Sequence, residues 1–271
     1  VAINAAEWPL YNEWLMANPD VVMDRLTNVV SFYGTFTYTY DDRYTANFNI
    51  RTDGSNKFGQ DKSTKFLPVW SAAVRWNIHN EMFFSNIQWM NLLALKGSYG
   101  VQGNVHSDQT PNLIVSMSGM DDVSKEYISS LNKLQNPYLK WEKTNQFDIG
   151  FNLNLFRNRL NFDISYYYKL TTDLLLERPV PHTTGFTSVM DNIGKVANQG
   201  LDFMVNTVNI DTKDFGWSST LNFNYNKNEI KKLGENDEDI LTGPWFISGN
   251  LVILRKGESL GSFWGYKREG I

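Results

Sequence analysis

The chain has 271 residues and is 42% hydrophobic, enough for a substantial core or one large β domain. Its 25 basic and 29 acidic residues are intermixed and sum to a formal charge of −4, which excludes the concentrated basic footprint of a nucleic-acid binder. Without a cysteine, neither a disulfide framework nor a thiolate metal site is available.

The segment from Asn4 to Asp24 holds Trp8, Tyr11, Trp14 and Leu15 at mixed spacing, which reads as loop with one helical turn. From Val30 a period of two begins. Phe32, Gly34, Phe36, Tyr38 and Tyr40 take one face, and Ser31, Tyr33, Thr35, Thr37 and Thr39 the other. Asp41 and Asp42 make a tight reversal. The second strand presents Tyr44, Ala46, Phe48 and Ile50, and a loop from Asp53 to Lys65 follows. The third carries Trp70, Ala72, Val74, Trp76 and Ile78, with Pro68 near its start, where a missing amide donor is tolerated. The spacing of Met82, Phe83, Ile87, Trp89 and Met90 predicts a short amphipathic helix over 80–91.

The fourth strand has Leu93, Leu95, Gly97, Tyr99 and Val101 on one side, and a long polar connection runs from Gly103 to Leu139. The fifth carries Phe147, Ile149, Phe151, Leu153 and Leu155. It turns at Arg157 and Asn158 into the sixth, with Leu160, Phe162, Ile164, Tyr166 and Tyr168. A further long loop is expected over 172–190, then a seventh strand over 195–208. A turn near Asp211 leads to an eighth strand, with Trp217, Leu221, Phe223 and Tyr225 opposite Asn222, Asn224 and Asn226. A ninth begins within 262–266.

Most of these segments exceed the roughly five or six residues of a soluble strand and match the roughly nine to eleven that cross a bilayer as one tilted stave. Short turns alternate with long loops, the arrangement of outer-membrane barrels, whose periplasmic turns are short and extracellular loops long. Aromatic residues make up 14% of the chain, which suits strands and the headgroup zone. The opposite face is rich in Asn, able to hydrogen-bond water, a plug or a neutral polar solute. No signal peptide and no apolar run long enough for a membrane helix are visible, and a barrel strand needs only alternate apolar positions. The abrupt ends at Val1 and Ile271 suggest a fragment of a longer polypeptide.

The stretches Ser31–Gly34, Arg51–Gly59, Leu95–Gly100, Asn136–Thr144 and Asn192–Asp202 together resemble the SusC/RagA-like branch of TonB-dependent outer-membrane transporters of Bacteroidetes. Ser31-Phe32-Tyr33-Gly34 with Tyr38, Asp41, Arg43 and Tyr44 is similar to a family hairpin. Arg51-Thr52-Asp53-Gly54-Ser55-Asn56-Lys57-Phe58-Gly59 and Leu95-Lys96-Gly97-Ser98-Tyr99-Gly100 resemble two further segments. The most specific are Asn136-Pro137-Tyr138-Leu139-Lys140-Trp141-Glu142-Lys143-Thr144 and Asn192-Ile193-Gly194-Lys195-Val196-Ala197-Asn198-Gln199-Gly200-Leu201-Asp202. Asp173-Leu174-Leu175 and Pro181-His182-Thr183-Thr184-Gly185-Phe186 lie between them in family order. Ala94 and Gly97 interrupt the usual basic pattern, and Val69-Trp70 stands where the family has Pro-Ser.

The resemblance implies an all-β fold, a segment of about eight or nine antiparallel strands from the second half of a 22-stranded barrel. Residues 1–28 are expected as a connection and 29–271 as barrel wall, with plug and both barrel ends outside the chain. It further implies TonB-dependent import of a large nutrient, an oligosaccharide first and a peptide second, through the cell outer membrane. The implied partners are a SusD-like lipoprotein, the TonB complex acting through the plug, and outer-membrane lipid; nucleic acid is not among them.

Candidate solute contacts are the loop aromatics Tyr127, Phe186, Trp245 and Phe246. Trp76, Trp141, Trp217 and Tyr166 to Tyr168 read as interface anchors. The Asp53-Gly54-Ser55 and Gly194–Gly200 segments read as turns, bulges or close backbone approaches. The acidic run at 235–239 lacks EF-hand spacing, and His79, His106 and His182 lack a helical metal spacing, so no metal, cofactor or catalytic residue is expected. The competing readings are a soluble all-β carbohydrate-binding module or adhesin, and an outer-membrane enzyme.

Overall fold

The computed structural model describes residues 28–55, 66–84, 86–104, 114–121, 124, 126–234, 240–242, 252–262 and 270. Its strands are β1 (Val29–Tyr40), β2 (Tyr44–Ser55), β3 (Phe66–Asn77), β4 (Met90–Asn104), β5 (Ile114–Met120), β6 (Tyr127–Lys133), β7 (Glu142–Leu155), β8 (Leu160–Pro179), β9 (Ser188–Asp211), β10 (Gly216–Lys232), β11 (Ile240–Thr242) and β12 (Val252–Leu254). Eight form one antiparallel sheet in the order β1-β2-β3-β4-β7-β8-β9-β10, which is not closed on itself. The hairpins β5–β6 and β11–β12 make two small separate sheets.

The period of two in the sequence becomes one continuous apolar surface because the registers keep it in phase. Phe36 faces Phe48, then Ala72, Tyr99, Phe147 and Tyr168 follow across successive strands. One row over, Val74, Gly97, Ile149, Tyr166, Leu201 and Tyr225 continue the same face to β10. A slip of one residue on any strand would send its whole apolar set to the other face. Among the described residues no second layer covers this surface: Phe36 is 63% exposed, Val74 64% and Leu221 61%. Soluble monomers rarely expose an apolar patch beyond a few hundred Å², so a face this broad belongs against hydrocarbon.

The turn end is compact. Asp41 and Asp42 hold positive φ between β1 and β2, as do Phe156, Arg157 and Asn158 between β7 and β8. Asp and Asn tolerate that conformation well. Residues 80–91 do not form the expected helix. Ile78–Asn80 and Met82–Phe84 are single 3₁₀ turns, and β4 already starts at Met90. Glu81 between the two turns is pinned from the side: it accepts from Tyr44 Oη at 2.6 Å, Trp76 Nε1 at 3.0 Å and Arg43 Nη1 at 3.4 Å. The Tyr44 hydroxyl, above all, and the Trp76 indole hold the Glu81 carboxyl below its ordinary range.

Two expected loops carry strand structure. The connection from Gly103 to Leu139 contains the β5–β6 hairpin. The stretch 172–190 is mostly strand: β8 runs 20 residues and β9 runs 24, paired nearly to their tips, where the connection spans only 180–187. This is roughly twice the length a bilayer requires, so the hairpin stands well beyond the sheet. Near its base, Val196, Ile230, Leu233 and Leu254 form a small buried cluster with Leu174 and Leu176 against it. The predicted connection at 1–28, except its last residue, and nearly all of the ninth strand at 262–266 lie outside the described residues.

Candidate functional site: the polar face and the loop end

Opposite the apolar surface, the polar side chains are joined into a hydrogen-bonded ladder. Asn47 Nδ2 donates to Thr37 Oγ1 at 2.6 Å, and Asn49 Nδ2 to Ser71 Oγ at 3.2 Å. Asp202 accepts from Asn224, and Asn228 Nδ2 donates to Asn198 Oδ1 at 2.6 Å. The expected Asn-rich wettable wall therefore carries hydrogen bonds between neighbouring polar side chains.

Two braces cross a strand at a glycine, and Asn152 of the crossed β7 also donates to Asp163. Lys96 on β4 reaches Asp163 on β8 at 3.1 Å, passing over Gly150 of β7. Tyr167 on β8 accepts from Asn226 of β10 at 2.6 Å, crossing Gly200 of β9. A Cβ at Gly200 would sit 2.5 Å from Tyr167 Oη and 2.5 Å from the Tyr225 carbonyl; one at Gly150 would sit 2.7 Å from the Ile164 carbonyl. Gly194 and Gly200 are thus close approaches within β9, not turns. Lys169 lies 5.2 Å over the Tyr167 ring and extends this brace.

At the loop end, the two most specific sequence motifs meet. Asn136 Nδ2 donates to the Met190 carbonyl at 2.8 Å. Asn192 donates to the carbonyls of Lys140 at 2.9 Å and Asp173 at 2.7 Å, and accepts from the Lys140 N–H at 2.9 Å. Glu142, only 5% exposed, accepts from Asn104 Nδ2 at 2.9 Å and the Leu175 N–H at 3.1 Å. Asp173 has positive φ at a register shift and forms an ion pair with Lys140 at 3.0 Å. These residues fasten segment 134–141 to the base of the long hairpin, so the motifs are architectural.

Of the aromatic candidates, Phe186 sits in the β8–β9 tip and lines a cavity of about 270 Å³ with Lys133, Asn136, Leu139, Glu177 and Met190. Tyr127 opens β6 on a different hairpin, and Trp245 and Phe246 lie outside the described residues, as does the acidic run 235–239. Trp76 stacks on Tyr44 at 6.2 Å at the turn end of the apolar face, as an interface anchor would, and Trp217 is exposed there. Trp141 instead lines a cavity of about 620 Å³ with Asn49, Arg51, Asp53, Ser71 and Gln102 of the polar side. Tyr166 and Tyr168 follow the apolar register, whereas Tyr167 belongs to the polar brace. Cavity lining and the brace were not legible in the sequence; the one signal for the brace was glycine at Gly150 and Gly200 inside otherwise bulky strands.

Residues 4–252 match the family described as TonB dependent receptor-like, beta-barrel. The chain is similar to a TonB-dependent receptor of Formosa agariphila, 35% identical over 249 residues, covering 90% of this chain and 25% of the relative. It is similar to the TonB-dependent receptor SusC of Bacteroides thetaiotaomicron, 32% identical over 253 residues, covering 89% and 25%. Among solved structures, the RagAB peptide transporter superposes with a TM-score of 0.75 at 28% identity, over 86% of this chain and 25% of that one. The chain spans about a quarter of the length of these relatives.

Proposed function

Since this chain belongs to the TonB-dependent receptor-like β-barrel family, a family of outer-membrane transporters and receptors and not of enzymes, we propose that it forms barrel wall in an importer that takes up a large nutrient. The observation that carries this reading is the register: one unbroken apolar face over eight strands, backed by a hydrogen-bonded polar face. In hydrocarbon an open edge of unpaired amides costs several kcal/mol per group. The outer edges of β1 and β10 are therefore to be covered by further strands of the same barrel.

In this reading residues 29–271 are wall and 1–28 a connection; the start of β1 at Val29 supports that boundary. The turn end faces the periplasm and the long hairpin faces outward. Tyr127, Phe186, Trp245 and Phe246 are the proposed solute contacts, supported by the cavity beneath Phe186. A SusD-like lipoprotein meets the outward end, TonB acts through the plug, and the solute is an oligosaccharide or a peptide. Similarity to SusC and to the RagAB peptide transporter supports this partnership.

Uptake by cells carrying the intact protein tests the reading. Labelled oligosaccharide or peptide should accumulate in the wild type, and accumulation should stop on deleting the gene or collapsing the proton-motive force. Uptake unchanged by both treatments would refute it.

A further inference from the structure

A groove of about 520 Å³ indents the apolar face near the turn end. One register row makes it: Tyr38, Ala46, Val74, Gly97 and Ile149 stand side by side on β1, β2, β3, β4 and β7. Large side chains close the row at both ends, and the three smaller ones between them form the floor. The next row toward the turns is raised by Tyr44 and Trp76, stacked at 6.2 Å. The next row toward the loops is raised by Phe48 and Tyr99.

Gly97 has no backbone reason to be glycine. Its φ is not positive, and a Cβ there would meet nothing closer than 3.9 Å, from Val74 Cγ2 and the Asp148 carbonyl. At Gly100 a Cβ would stand 2.9 Å from Ser71 Cβ, and at Gly150 2.7 Å from the Ile164 carbonyl, so neighbours require those two glycines. Glycine weakens a strand interior. At Gly97 the compensation is the depth of the groove. The wall on the turn side is held in advance, because Tyr44 Oη and Trp76 Nε1 both donate to Glu81. A wall already ordered adds little to the cost of binding.

The occupant follows from position and shape. The groove opens on the face that meets hydrocarbon, where irregular loops do not occur. Further barrel strands continue the sheet beside β1 and β10 and do not lie over β2 to β4. A neighbouring barrel is convex and stiff, and it rests on the raised rings without reaching the floor. A flexible acyl chain follows the depression and makes the dispersion contacts that a gap forfeits. Ala46 lies two residues past the start of β2, which places the groove in the leaflet on the turn side. We propose that this groove binds one acyl chain of a diacyl phospholipid of the periplasmic leaflet, its ester end beside Tyr44 and Trp76. The inference rests on the wall reading above, in which the apolar face meets lipid and the turn end faces the periplasm.

The test uses the full-length protein in liposomes doped with a phosphatidylethanolamine that carries a diazirine in one acyl chain. After photolysis, peptide mass spectrometry compares adducts at the floor residues with adducts at Leu221 and Phe223 of β10, on the same face and well exposed. The floor should exceed β10 by about threefold or more, the equivalent of about five extra van der Waals contacts. Gly97→Leu and Ala46→Leu each fill the groove and should bring the excess down to the β10 level. Gly34→Leu, on the same face two rows away, should leave it unchanged. Heat-modifiable gel mobility confirms that each variant is folded.

Equal labelling of floor and β10 in the wild type means bulk lipid only and overturns the proposal. An excess that survives both groove-filling variants does so too. A photoreactive residue at position 74 that cross-links to polypeptide also overturns it, since protein then covers the floor. The two readings fail separately: β10 labelled without an excess at the floor sinks the site alone, whereas no adduct at any of these positions sinks the wall reading and the site with it.

Discussion

Lys140 and Asn192 exchange a reciprocal pair of hydrogen bonds: the Lys140 N–H donates to Asn192 Oδ1 at 2.9 Å, and Asn192 Nδ2 donates to the Lys140 carbonyl at 2.9 Å. The same amide holds the carbonyl of Asp173, where β8 bulges. One side chain therefore locks a connecting segment and a bulge to the foot of the long hairpin.

Asn192→Ala should loosen that junction and leave the sheet intact. Three hydrogen bonds are lost at a half-buried site, a local effect of about 1–3 kcal/mol. Amide exchange at Lys140 should accelerate about tenfold or more, while exchange in β7 below Gln146 stays unchanged. Equal exchange at Lys140 in both proteins would contradict the clamp.

Gly200→Ala should hinder folding, because the new methyl meets the Tyr225 carbonyl at 2.5 Å, a backbone atom that cannot rotate away. Overpacking of this kind costs about 1–3 kcal/mol. Gly34→Ala, whose nearest neighbour is the Ile50 side chain at 3.7 Å, should be near neutral. Urea midpoints in liposomes compare the two; similar midpoints would show that β9 does not approach its neighbours so closely.

Acid should loosen the turn end through Glu81. Its pKa is depressed in the fold, chiefly by the Tyr44 hydroxyl, so its stabilisation is complete above the ordinary Glu value of about 4.3 and is lost as pH falls through the lower folded value. Glu81→Gln should remove that part of the acid dependence. Trp76 fluorescence between pH 6 and 3 reports it, and identical profiles in the two proteins would count against the pairing.

Lysine placed at Leu221 should be far more harmful than lysine at the adjacent Asn222. A lipid-facing Lys costs about 2–4 kcal/mol near the midplane, whereas the inner face tolerates charge. Outer-membrane abundance of the two variants gives the comparison, and equal abundance would contradict the assignment of faces.

The strand faces were legible because most staves alternate apolar and polar residues between Phe32 and Tyr225, and that pattern sets register. It failed where the physics changes. Leu174, Leu175 and Leu176 abolish alternation past the Asp173 bulge, since there the hairpin packs Leu174 and Leu176 on a protein cluster and not on lipid. Met82, Phe83 and Ile87 mimic a helical stripe, but Glu81, tied to Tyr44 and Trp76, divides the segment into single turns. The Asn192 clamp was visible only as a resemblance between motifs about fifty residues apart; nothing in either motif alone says that they touch.

The central claim is that adjacent residues of one stave meet different solvents. Spin labels at Phe48 and at Asn49, in the intact protein in lipid, measure this through collision with dissolved oxygen and with a water-soluble nickel complex. Oxygen should dominate at Phe48 and nickel at Asn49. Equal accessibility to oxygen at both positions would contradict the two-faced wall.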